Sequence, residues 1–238
     1  MIQRKIHYCW FGRIEKPEIV NKCINSWKEN AKGYELVEWN EDNFDINSND
    51  FVREAYEKKK YAFVSDYVRA YALFNYGGIY LDTDVELLKD FDDYLENDSF
   101  FGFEAANYIA TSTIGARKGN KVIKKLLDKY QNKKFINKDG TLDTVTNVFI
   151  LSDIFKDLKI ERNGKYQKKE GLLTVYPMEV FSPYDYRFYQ DLRTENTVSI
   201  HHFHKSWVSK KDKIKQSIKK LGIRLLGVNN IKKLTGVK

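Results

Sequence analysis

Apolar positions along the chain switch between a period near two and a period near 3.6, and the switches mark the elements. Residues 6–10 (IHYCW) read as a buried strand, and Ile19, Val20, Cys23, Ile24 and Trp27 after Pro17 give the three-and-four spacing of an amphipathic helix. Residues 34–39 read as a second strand before the polar turn Asn40-Glu41-Asp42-Asn43, and residues 49–60 as a helix. Residues 61–76 form another helical stretch, stopped by Gly77-Gly78, after which 79–81 is too short and apolar to be anything but a buried strand. Further strands are expected at 100–103, 109–115, 172–176 and 197–202, and further helices at 120–130 and 144–155. Strands alternating with helices argue for an α/β fold with a mainly parallel twisted sheet flanked by helices on both faces. Such sheets bind ligands at the carboxyl ends of their strands.

At 238 residues this pattern suits one domain with an appendage. No apolar run approaches the roughly 20 residues of a membrane span, and the start lacks the apolar stretch of a secretion signal, so a cytoplasmic location is expected. The two cysteines, Cys9 and Cys23, form no CxxC pair and agree with a reducing compartment. The net charge of +8 is uneven: from Lys205 onward eleven basic residues face the single acid Asp212, a net of +10, which leaves −2 for residues 1–204. The body is slightly acidic, which speaks against a nucleic-acid binder, whose phosphate groove needs positive charge across the fold. No nucleic-acid partner is expected.

Candidate chemistry concentrates after the glycine pair. In an extended chain Asp82, Asp84 and Glu86 would share one face. Hard divalent cations such as Mn²⁺ and Mg²⁺ prefer oxygen ligands, so two carboxylates here could anchor a diphosphate through a metal. The triplet alone is weak, since Asp90-Phe91-Asp92 matches it too; position after a buried strand singles out Asp82-Thr83-Asp84. Asp66 and Arg69 stand three apart on a helix, either as a surface ion pair or as ligands for sugar hydroxyls. Trp10 closes the first strand, where it could stack on a base or belong to the core. His201, His202 and His204 cluster ahead of Ser206-Trp207 and could complete a metal site. No Walker loop, dinucleotide fingerprint or nucleophile elbow occurs.

These strings together resemble glycosyltransferase family 32, the bacterial capsular-polysaccharide sugar transferases related to yeast mannosyltransferases and to the catalytic domains of clostridial glucosylating toxins. The matching segments are IHYCWFG at 6–12, WNE at 39–41, YAFVSDYVR at 61–69, NYGGIYLDTD at 75–84, and His201-His202 with Ser206-Trp207. The resemblance implies a GT-A fold, a nucleotide-diphosphate sugar donor, Mn²⁺ (or Mg²⁺) and retention of anomeric configuration. Carried onto this chain, it makes Trp10 the base-stacking residue, Asp66 and Arg69 donor-sugar contacts, Asp82, Thr83 and Asp84 the metal and diphosphate site, and Ser206 with Trp207 a lid over the leaving group. Asp66, Arg69, Asp82, Asp84 and Trp207 are thus the catalytic candidates. His201 is the preferred third metal ligand, with His202 and His204 near enough to substitute. Glu104, Asp143 and Asn147 could face the acceptor or the donor sugar.

The domain is expected over residues 1–207 and a tail over 208–238. In that tail Ile214, Ile218, Leu221, Leu225 and Val228 form an apolar stripe flanked by lysines, a C-terminal basic amphipathic helix suited to an anionic membrane surface. A saccharide acceptor linked to lipid would be met there, at the inner face of the cell membrane. The alternative is a protein acceptor, as in the toxin relatives.

Overall fold

The computed structural model describes residues 1–204. Its elements are β1 (Lys5–Cys9), α1 (Glu18–Asn30), β2 (Glu35–Trp39), α2 (Asp50–Glu57), α3 (Tyr61–Tyr76), β3 (Gly78–Leu81), β4 (Val85–Leu87), β5 (Ser99–Glu104), β6 (Tyr108–Ile109), β7 (Thr113–Ala116), α4 (Lys121–Asp128), α5 (Asn147–Asp157), β8 (Gln167–Lys169), β9 (Leu173–Tyr176), α6 (Met178–Phe181), β10 (Tyr184–Asp185), β11 (Gln190–Asp191) and β12 (Ser199–His201). The main sheet runs β2-β1-β3-β7-β5-β9-β8, with β6 also on β5. Strands β1, β2, β3, β5 and β9 point one way, and β6, β7 and β8 point the other. The sheet is therefore mainly parallel in direction, with β7 inserted against the grain. The expected C-terminal helix and the 207/208 domain boundary lie outside the described residues.

Side-chain alternation sorts each strand between two cores. Ile6, Tyr8, Ile79, Leu81 and Phe100 pack on the α1 and α6 side with Trp27 and Phe181. Cys9, Tyr80, Phe101 and Phe103 pack on the other side against α2 to α5. A sheet buried on both faces needs near-continuous apolar strands, and this is why period-two polarity is faint in β3 and β5.

The turn from α3 into β3 requires both glycines. Gly77 ends the helix at φ +67° and Gly78 follows at φ +106°, the left-handed region. A Cβ at Gly77 would lie 2.7 Å from the Lys118 amide nitrogen, and one at Gly78 2.7 Å from the Lys5 carbonyl oxygen. The chain thus reverses without a loop, and the end of β3 is fixed relative to α3.

Two expectations need correction. The single strand expected at 109–115 is two, β6 and β7, separated by a bulge. Phe103 pairs with Ile109 while Phe100 pairs with Gly115, so three steps along β5 match six along its partner. The second correction concerns Asp82 to Glu86. The chain turns there, with the Val85 amide donating to the Asp82 carbonyl at 3.0 Å, so strict alternation does not align the three acids.

Candidate functional site

The bulge and the turn meet. The Ser112 carbonyl accepts the Asp82 amide at 2.8 Å, and the Thr111 carbonyl accepts Arg69 Nη1 at 2.6 Å. These main-chain oxygens carry no sequence signal, and nothing in the alternation pattern points to them. They hold both residues at the carboxyl end of β3.

Asp66 and Arg69 are 7% and 5% exposed, which rules out a surface ion pair. Arg69 Nη2 lies 3.1 Å from Asp66 Oδ1 and 3.2 Å from Asp82 Oδ1, and its Nε donates to the Ser65 carbonyl at 3.3 Å. The guanidinium also sits 4.6 Å from the centre of the Tyr80 ring, whose hydroxyl donates to Asp82 Oδ1 at 3.1 Å. Burial opposes the charge of Arg69, yet Asp82, Tyr80 and Asp66 outweigh it and raise its pKa. Burial lifts the Asp66 carboxyl to about 6 although Arg69 pulls it down. Asn147 completes this network, donating Nδ2 to the Asp66 carbonyl at 2.7 Å and accepting the Tyr130 hydroxyl at 2.5 Å. Asp143 is engaged elsewhere, 3.2 Å from Lys133.

The histidines separate by register. Strand β12 runs antiparallel to β4, pairing His201 with Val85 and Ile200 with Glu86. Strand β4 is itself clamped by α1: Trp27 donates to the Val85 carbonyl at 2.7 Å, and Ser26 Oγ accepts the Leu87 amide at 2.9 Å. His201 Nε2 consequently stands 3.3 Å from Asp84 Oδ1, while His202 pairs with Glu86 at 2.8 Å. His204 reaches Asp84 only through its backbone N–H, at 2.7 Å from Oδ2. Burial would raise the Asp84 carboxyl, but His201 and the His204 amide outweigh it and hold it below the usual carboxylate range. Burial likewise opposes charge on His201, and Asp84 overrides it and raises the pKa.

Ligand atoms of Asp82, Asp84 and His201 lie within 4.8 Å of one another, the one such group of three among the described residues. His201 Nδ1 is also buried without a hydrogen-bond partner. Two carboxylates and an imidazole with one ring nitrogen left unsatisfied are a donor set that fits a divalent cation such as Mn²⁺. Thr83 occupies the turn between the two aspartates. Asp90 and Asp92 play no part: the Asp92 carboxylate pairs with Arg4 at 2.6 Å.

Trp10 is half-buried at the end of β1, its amide on the Trp39 carbonyl at 2.9 Å and its ring nitrogen on the Ile14 carbonyl at 2.7 Å. Parallel pairing of His7 with Tyr80 places this end of β1 beside Asp82. Ser206 and Trp207 lie outside the described residues. A cavity of about 830 Å³ lined by residues including Glu29, Lys89, Asp90, Tyr94 and Tyr176 includes none of Trp10, Asp66, Arg69, Asp82, Asp84 and His201.

A family described as capsular polysaccharide synthesis protein matches residues 1–221. A curated relative from Legionella pneumophila, subversion of eukaryotic traffic protein A, is 29% identical over 161 residues, covering 53% of this chain and 24% of its own length. The chain thus spans about a quarter of that relative. Three solved structures superpose at TM-score 0.45: the PaToxG glycosyltransferase (19% identity, 66% of this chain and 73% of that one), a glycosyltransferase involved in the glycosylation of the major capsid of PBCV-1 (10%, 92% and 98%), and an active-site mutant of LgtC (11%, 92% and 95%). At that score the family match carries the assignment and these likenesses do not.

Proposed function

Because the chain belongs to the capsular polysaccharide synthesis protein family, we propose that it is a metal-dependent, retaining glycosyltransferase of the GT-A type. It moves a sugar from a nucleotide-diphosphate donor to a saccharide acceptor. The observation that carries this reading is the convergence of Asp82, Asp84 and His201 at the carboxyl end of β3. A bound Mn²⁺ or Mg²⁺ would supply Lewis acidity to the departing diphosphate.

The chain's own residues position and shield. Arg69, fixed by Ser65, Thr111 and Asp66, holds the Asp82 carboxylate in place. Pairing of β12 with β4 delivers His201 to Asp84. Trp10 offers a ring at the neighbouring strand end for the donor's base, and Thr83 a hydroxyl for the diphosphate. Asp66 and Arg69 face the donor sugar with the small fraction of surface that burial leaves them. Ser206 and Trp207 are assigned to the leaving group, as the family resemblance implies. Preorganised charge of this kind acts where charge develops in the transition state, with little covalent chemistry by the protein.

Domain and surroundings form part of the same reading: a catalytic unit over 1–207 and a basic tail over 208–238 that rests on anionic lipid and meets a lipid-linked acceptor. Among the described residues no helix is long and apolar enough to cross a membrane, which agrees with attachment at a surface. A panel of UDP- and GDP-sugars tested for Mn²⁺-dependent hydrolysis and thermal stabilisation checks the proposal. At least one donor should respond only with the metal present; a panel without any such response overturns it.

A further inference from the structure

One buried carboxylate near the cluster is left over. Glu104, the last residue of β5, is 8% exposed and has no hydrogen-bond or ion-pair partner among the described residues. Burial lifts its carboxyl to about 7, with His201 opposing and Asp82 reinforcing the shift. Its oxygens are not among the fully buried, unsatisfied atoms of the described residues, so solvent reaches them, and a carboxylate kept without a protein partner next to a ligand site is open to a ligand.

What lies beside Glu104 indicates which ligand. Its register partner across the β5–β6 ladder is Tyr108, and paired residues project to the same face. The Tyr108 ring centre is 5.6 Å from that of Phe149 at an interplanar angle of 73°. Phe149 is 53% exposed, the one phenylalanine in the exposed class among the described residues. Arg162 covers Tyr108, its guanidinium 3.8 Å from the ring centre and its Nε on the Asn107 carbonyl at 3.1 Å, so the tyrosine is held in place and Phe149 is the open ring. At the other end α5 begins at Asn147, bonded to the Asp66 carbonyl, two residues before Phe149. The aromatic pair is thus joined to the catalytic network by a strand ladder and by a helix start.

We propose that Glu104, Tyr108 and Phe149 form the acceptor subsite, in which a pyranose ring stacks on Phe149 and one of its hydroxyls donates a hydrogen bond to Glu104. A sugar presents an apolar face of C–H groups and a rim of hydroxyls, and an open aromatic ring joined through Tyr108 to an unpartnered carboxylate offers a partner for each. This assignment rests on the glycosyltransferase reading and adds to it where the acceptor binds.

The test is saturation-transfer NMR on the full chain with Mg²⁺ and the methyl glycosides of glucose, galactose, mannose and N-acetylglucosamine. At least one glycoside should receive saturation from the protein. Phe149→Ala should weaken that glycoside at least about fivefold, Phe149→Tyr should retain it, and Glu104→Gln should weaken it with no loss in melting temperature. No saturation of any glycoside, or equal affinity for Phe149→Ala, overturns the subsite. Binding of UDP and GDP with Mn²⁺, measured on the unsubstituted protein, keeps the two claims apart. Nucleotide binding without glycoside binding removes the subsite alone; glycoside binding without nucleotide binding removes the donor reading alone.

Discussion

Arg69 Nη2 stands 3.2 Å from Asp82 Oδ1, and it is this contact that ties the buried α3 helix to the end of β3. The same nitrogen also faces Asp66 at 3.1 Å, so one cation compensates two carboxylates. Such a network stabilises little when intact, because desolvation offsets attraction, but removing the shared partner leaves charge uncompensated. Arg69→Met should destabilise the protein by about 3 kcal/mol in urea denaturation at pH 7. Adding Asp66→Asn to that variant should recover part of the loss. A double variant no more stable than Arg69→Met would mean that the cost lies in packing.

Stability should respond to pH through two buried groups with opposite slopes. Burial holds His7 neutral and lowers its pKa to about 4, with Nε2 on the Gly77 carbonyl and Nδ1 accepting from Trp39. The unfolded chain takes up this proton near pH 6.5 and the folded chain only near 4, so stability present above 6.5 is lost as the pH falls towards 4. Glu104 works the other way: the unfolded chain ionises near 4.5 and the folded chain near 7, so stability present below 4.5 is lost as the pH rises to 7. Each shift corresponds to about 3 kcal/mol, and the two slopes largely cancel between pH 4.5 and 6.5. Glu104→Gln removes the falling arm. Its stability relative to the unsubstituted protein should rise by about 3 kcal/mol from pH 4.5 to 7; parallel curves in a urea series across that range would contradict the buried, unpartnered state of Glu104.

The tail offers a third check. Truncation after Trp207 removes ten of the eleven basic residues that follow residue 204. If the tail lies on anionic lipid, the full chain should sediment with phosphatidylglycerol vesicles, less so at high salt, and the truncated chain should not. Equal sedimentation of both forms would remove the membrane role.

Legibility in the sequence followed burial pattern. Helix α3 was readable to its ends because its apolar run is bounded by a glycine pair that geometry demands. Strands β1, β2 and β9 were readable within a residue for the same reason, an apolar run between polar turns. The bulge between β6 and β7 was not, because Ala110, Thr111 and Ser112 are apolar or neutral and break no pattern. The two-residue strands β10 and β11 are too short for any period to register. In the site, alternation predicts Asp82, Asp84 and Glu86 on one face and the resemblance adds His201; a turn and the β4–β12 register instead bring Asp82, Asp84 and His201 together and give Glu86 to His202. The register also separates His201 from His202 and His204, a distinction that three neighbouring histidines cannot express in one dimension. Tyr80 and the Thr111 and Ser112 carbonyls escaped notice, the first as an ordinary strand aromatic and the others as backbone.

Calorimetric titration of UDP and GDP, with and without Mn²⁺, into the unsubstituted protein and Asp84→Ala tests the central claim most directly. The account predicts that one nucleotide binds the unsubstituted protein only with Mn²⁺ and that Asp84→Ala loses this binding while keeping a cooperative melting transition. Binding of equal strength in a folded Asp84→Ala, or binding indifferent to the metal, would contradict it.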